Sequence, residues 1–176
     1  TLPLPYLSDA DVADAPYGNP PTIDGLISLG EYAGAGKETF VTLNGQAEVF
    51  LREDASALYV AFDFPGEQSS GAAAQVFLDT LHDRASVPKV DDFRLTITRG
   101  ALLYEAQGTG SAWAVVPSPS GWTAAAAQTL TGWQAEFRIS YAKLGIVPGT
   151  PRVLGLSLWN AWTPSGLDYW WPAGAV

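Results

Sequence analysis

Residues Ala57–Phe64 alternate without a break, with Leu58, Val60, Phe62 and Phe64 on one side and Tyr59, Ala61 and Asp63 on the other. Gly132–Ser140 repeats the pattern, setting Trp133, Ala135, Phe137 and Ile139 against Gln134, Glu136 and Arg138. A strand with one wholly apolar face needs a second layer to cover it, and no stretch of the chain keeps a helical period long enough to supply one. Sheet must therefore pack on sheet. Further short strands are expected at Phe40–Leu43, Glu48–Arg52, Gln75–Asp79, Asp92–Arg99, Leu102–Gln107, Ala112–Pro117 and Trp122–Gln128, with turns such as Asn44-Gly45 and Pro65-Gly66 between them. About ten strands so spaced predict an all-β chain, a two-sheet antiparallel β-sandwich of jelly-roll or immunoglobulin-like type in a single domain. Ser140–Gly145 reads as one helical turn, with Ser140 as N-cap and Gly145 at the end, and Ser28–Tyr32 as a second short turn.

The prolines at 3, 5, 16, 20 and 21 set residues 1–21 apart as an extended arm, leaving 22–176 for the sandwich. Composition narrows the partners. A net charge of −9 with nine unclustered basic residues argues against nucleic acid and against an anionic membrane surface. No apolar run approaches the ~20 residues of a membrane span. With no cysteine there is no disulfide or thiol nucleophile, and the absent methionine reads as a processed or trimmed chain.

Catalysis is not expected. His82 is the one histidine, there is no Gly-x-Ser-x-Gly elbow, and neither a phosphate-binding nor a dinucleotide-binding glycine motif is present. Asp79, Asp83, Asp91 and Asp92 flank one hairpin, and hard oxygen donors at that density suit Ca²⁺. The plain alternative is a solvated loop in which Arg84 and Lys89 pair with the acids.

Four of the seven tryptophans, Trp159, Trp162, Trp170 and Trp171, fall in Arg152–Pro172, together with Asn160, Asp168 and Tyr169. Leu154, Leu156 and Leu158 share one face of a strand, so Trp159 belongs to the other. A large ring beside polar side chains suits a pyranose, which has an apolar C–H face and a hydroxyl rim. Arg94 and Gln75 are expected to add hydrogen bonds if they share the Trp159 face. The plain alternative is that the indoles close the end of the sandwich. Trp113 and Trp122 are left open between edge and core.

The order of motifs resembles the family 9 carbohydrate-binding modules and their DOMON-like β-sandwich relatives. It is carried by Thr22-Ile23-Asp24-Gly25 with Glu31-Tyr32, Leu58–Phe62, Val76–Asp79, Ala135–Ile139 with Leu144-Gly145, and the close at Trp171-Pro172. The resemblance implies a two-sheet sandwich, structural Ca²⁺ in some members, and a sugar slot between two tryptophans. One wall of that slot matches Trp159, Trp162 or Trp171, with Asn160 as a polar contact. No tryptophan precedes Trp113, so Tyr59 or Tyr32 is the ring to stand at the early wall. Relatives that hold haem use methionine, which this chain lacks, and no haem is expected.

These readings converge on a non-catalytic, extracellular or cell-surface module of a bacterial protein that binds carbohydrate or a cell-envelope glycan by aromatic stacking. The alternative is a structural or adhesive module, its aromatic end packed on a neighbouring envelope protein.

Overall fold

The computed structural model describes residues 12–42, 45–150, 152–162 and 167–172. Within them the chain forms β1 (Gly36–Thr42), β2 (Gly45–Glu53), β3 (Ala57–Pro65), β4 (Ala73–Asp79), β5 (Asp92–Thr98), β6 (Leu103–Gly108), β7 (Trp113–Val115), β8 (Trp122–Gln128), β9 (Gly132–Ser140), α1 (Tyr141–Leu144), β10 (Gly155–Trp162) and β11 (Leu167–Trp171). Every strand pairing is antiparallel. One sheet runs β1-β2-β3-β9-β8 and the other β11-β10-β4-β5-β6-β7. The expected two-sheet sandwich is what the chain builds.

The two long alternating segments are central strands of the five-stranded sheet, paired so that Val60 stands opposite Phe137 and Phe62 opposite Ala135. Their inner faces make the core with Val76, Leu78, Leu95, Ile97 and Leu158 from the other sheet. Trp133 is fully buried against Phe64, ring centroids 4.8 Å apart. Trp122 is buried on Phe137 at 6.0 Å, and its indole N–H donates to Glu105 at 2.7 Å. Each such ring withdrawn from water contributes about 1.5–3 kcal/mol.

The helical turn α1 lies where the sequence puts it, with Ser140 accepting from the Lys143 N–H and Gly145 in the left-handed conformation. Ser28–Tyr32 is not helical. Isolated turns close there instead, Glu31 N–H to Ser28 O and Ala33 N–H to Gly30 O. The aromatic close forms a further strand, β11, that no alternation announces.

The two sheets differ in what covers their outer faces. Residues 22–32 lie across the five-stranded sheet, where Ile27 N–H donates to Gln134 and Asp24 and Gly25 N–H to Glu136. A Cβ at Gly25 would fall 2.6–2.8 Å from the Ala126 backbone, and its φ is +89°, so only glycine lets the segment lie this close. The described part of the arm runs beside β2, with Gly18 N–H on Glu53 O and Glu53 N–H on Pro16 O. Buried Arg52 gathers the carbonyls of Asn19, Glu31 and Ala33. On the six-stranded sheet the β4–β5 loop comes over the outer face, its Pro88 and Lys89 backbone lying against Gly108.

Candidate functional site

Strand alternation sends Ala74, Val76 and Leu78 of β4 into the core and leaves Ala73, Gln75, Phe77 and Asp79 on the outer face. Trp159 pairs with Gln75, Ser157 with Phe77, and Phe77 with Arg94, so all five share that face. Trp113, from the short edge strand β7, reaches the same place. Phe77 stands between the two tryptophans, 5.9 Å from Trp113 and 6.1 Å from Trp159, at interplanar angles of 73° and 48°. The Arg94 guanidinium lies 5.6 Å over the Trp113 ring.

Phe77, Arg94, Trp113, Ser157 and Trp159 line a cleft of about 600 Å³. Ala85, Ser86, Val87 and Pro88 of the β4–β5 loop wall it, and Asp79, Asp92 and Gly155 close one end. A Cβ at Gly155 would come within 2.8 Å of the Asp79 Cβ, so glycine there keeps the cleft open beside the carboxylate. Two polar atoms beside Trp159, Gln75 Oε1 and Ser157 Oγ, are buried with no hydrogen-bond partner. Of the two residues, Ser157 lines the cleft and Gln75 stands next to Trp159 outside its lining.

The expected residues divide. Trp159, Gln75 and Arg94 share the outer face, as the leucine parity requires. Asn160 does not: it follows Leu158 into the sandwich, 1% exposed, with neither amide atom hydrogen-bonded. Side chains alternate along a strand, so a neighbour of Trp159 in sequence is on the opposite face. Trp171, paired with Leu158, also points inward and is 7% exposed. It belongs to the core cluster and closes the sandwich where β11 meets β1, the plain alternative for this ring. Tyr59 is buried in β3 of the other sheet with its hydroxyl on Asp54. Tyr32 is buried on that sheet too, bonded to Glu136. Neither tyrosine lines the cleft; the tryptophans among its lining residues are Trp159 and Trp113. The backbone of Trp162, Asp168 and Trp170 is placed in β10 and β11, but their side chains lie outside the described residues.

Phe77 and Trp113 are not among the expected residues, while Ser157 lies on the face that strand alternation gives it with Trp159. Phe77 was discoverable: it shares parity with Gln75 and Asp79 in a strand whose other face is wholly apolar. Trp113 sits in a strand too short to show a parity.

The acidic hairpin brings Asp79, Asp91 and Asp92 together, one carboxylate oxygen of each lying within 4.8 Å of the others. Asp79 accepts from the Asp83 and Arg84 N–H groups, Asp91 from Leu81 and Asp92 from Lys89. Asp92 Oδ1 is buried without a partner. Burial pushes the Asp92 carboxyl above its ordinary range; the Lys89 N–H opposes this, and the charges of Asp91, Asp79 and Asp83 add to it. Asp83 is exposed, accepts from the Ala85 N–H, and stands outside the trio. The expected pairing of Arg84 or Lys89 with these acids is not among the described ion pairs.

No protein-family model matches the sequence, and no curated protein does. Solved structures do. A family 9 carbohydrate-binding module from Caldicellulosiruptor kristjanssonii, in complex with cellotriose, superposes with a TM-score of 0.66 at 18% identity over 89% of this chain and 80% of that one. The same module in complex with glucose gives 0.66 and 18% over 89% and 82%. The chain therefore has the fold of the family 9 carbohydrate-binding modules. Among the described residues no helix is long and apolar enough to cross a membrane.

Proposed function

We propose that the chain is a non-catalytic carbohydrate-binding module, and that its ligand lies in the cleft over Trp159, Phe77 and Trp113. The observation that carries this reading is a cleft lined by three aromatic rings, half-buried Trp159 among them, with the polar side chains of Ser157 and Arg94 beside them. An indole face covers the C–H side of a pyranose, while Ser157 offers a hydroxyl to its rim. Arg94, held over Trp113, adds a donor to the same cleft. The similarity to modules solved with cellotriose and glucose supports the class of ligand. An extracellular or cell-surface setting goes with such a role.

For Ca²⁺, the donor set that fits is Asp79, Asp91 and Asp92, because their oxygens converge and Asp92 Oδ1 has no other partner. Ca²⁺ takes roughly six to eight oxygens, so backbone carbonyls and water would complete the shell. Its chemistry there would be structural, fixing the loop that walls the cleft.

Affinity electrophoresis through gels containing soluble polysaccharides tests the function. Retardation on at least one polysaccharide, lost in Trp159→Ala, is expected. Free migration on every one, together with association of the protein with itself in light scattering, would favour the adhesive module instead.

A further inference from the structure

We infer that Arg94 reads a carboxylate, and that the glycan therefore presents a uronic acid residue to the cleft. The inference rests on the glycan reading of the cleft and names the sugar it takes. Its own ground is what the arginines do. Arg52, Arg84, Arg99, Arg138 and Arg152 each hydrogen-bond through the guanidinium to another group of the chain. The described ion pairs join Lys37 to Glu48 and Lys143 to Glu105, and among the described residues the Arg94 guanidinium has neither an ion pair nor a hydrogen bond. It is left so although acids outnumber bases eighteen to nine and Asp92 stands two residues away on the same face of β5. The half-buried guanidinium lies instead over the Trp113 ring, 5.6 Å from its centroid, and lines the cleft. Stacking on the indole holds its plane and leaves the N–H edge for a ligand. A planar fork of donors takes a carboxylate through two parallel bonds, both of them charge-assisted.

The charges of the cleft are also divided. Arg94 shares a cross-strand row with Ser157, Phe77 and Ala106, none of them acidic. The neighbouring row holds Gly155, Asp79 and Asp92, at the closed end. Two residues along a strand separate the rows, about 7 Å. A hexuronate carries its carboxylate on one edge of the ring and its 2- and 3-hydroxyls on the opposite edge. Set over Phe77, it puts the carboxylate at Arg94 and the hydroxyls at Asp79 and Asp92, which accept from them. The reverse orientation sets carboxylate against carboxylate, so the charges allow one way in. A net charge of −9 opposes a polyuronate, and a single uronate on an otherwise neutral glycan is the ligand that suits the chain.

Calorimetric titration with trisaccharides that end in one glucuronate, galacturonate or mannuronate, each beside its carboxyl-reduced form, tests this. The comparison of acid with reduced form is made first on the unaltered protein and depends on no variant. The variants are Arg94→Gln and, on the opposite sheet, Arg138→Gln, which removes the same charge away from the cleft. For at least one sugar the acid is expected to bind about tenfold more tightly than the reduced form, with the gain shrinking as salt is raised. Arg94→Gln, which keeps a donor for hydroxyls, should remove the gain and still bind the reduced form. Arg138→Gln should keep the gain. Reduced forms that bind as tightly as every acid, a gain that survives Arg94→Gln, or an equal gain from 6-sulfate esters of the reduced forms overturns the inference and leaves the glycan reading standing. No binding of either form of any sugar overturns both.

Discussion

The Gly25 N–H donates to Oε2 of Glu136 at 2.8 Å, across a sequence separation of 111 residues. Asp24 N–H reaches the same oxygen at 3.1 Å, and the Tyr32 hydroxyl donates to Oε1 at 3.0 Å. Three of the motifs that carry the family resemblance, Asp24-Gly25, Glu31-Tyr32 and Glu136, thus meet in one buried knot on the five-stranded sheet. The knot lies on the sheet opposite the cleft. It holds the covering segment down, and so separates the closed face of the sandwich from the open one.

Burial pushes the Glu136 carboxyl up to about 7 from an ordinary 4.5, against the opposing N–H donors and Tyr32. The folded state then holds this proton more tightly than the unfolded chain. Stability from this group is greatest below about pH 4.5, falls as pH rises to about 7, and is level above; the drop is at most about 3 kcal/mol. Urea denaturation between pH 4.5 and 8 should show that slope in the wild type. Glu136→Gln, which keeps an acceptor for Gly25 and a donor to the Tyr32 oxygen, should flatten it.

Lys143 Nζ and Glu105 Oε1 form an ion pair at 2.7 Å, with side chains 8% and 3% exposed, and Trp122 donates to the other Glu105 oxygen. Lys143 also lies over Phe93 at 4.4 Å. Removing the lysine strands a buried carboxylate, so Lys143→Met should cost about 3–5 kcal/mol in chemical denaturation. Adding Glu105→Gln neutralises that charge and keeps the acceptor for Trp122. The double variant should recover most of the loss.

Ca²⁺ should raise the unfolding midpoint, by about 2.7 kcal/mol of stability at a hundredfold excess over its Kd, and EGTA should reverse the rise. Asp92→Asn is expected to abolish the response. Asp83→Asn, which lies outside the trio, is expected to keep it.

Trp171 and Asn160 should matter for stability and not for sugar. Trp171→Ala opens the core and should cost about 3–5 kcal/mol. Asn160→Leu replaces a buried, unpartnered amide and should stabilise by about 1–3 kcal/mol. Both variants, checked by denaturation and by titration with the bound glycan, should keep the wild-type affinity.

The fold was legible because Leu58–Phe64 and Trp133–Ile139 state their inner faces outright, and turn pairs divide the rest. Parity likewise placed Trp159 outside and left Gln75 and Arg94 able to join it. The same parity, carried one residue further, puts Asn160 inside, whereas Trp171 is set inside only by the pairing of β11 with β10, opposite Leu158. What no local pattern carries is the meeting of the Trp113 and Phe77 rings across the sheet. Trp113 becomes a wall of the cleft only through the register of the intervening strands, and that register is set by the whole sheet.

The central claim is that glycan lies on the indoles of the open face. The indole N–H resonances report this most directly, in a two-dimensional ¹⁵N spectrum assigned by tryptophan-to-phenylalanine variants and titrated with a glycan that retards the protein. Shifts at Trp159 and Trp113, with the buried Trp122 and Trp133 unmoved, are the predicted result. Saturation with ligand that leaves Trp159 and Trp113 where they were would contradict it.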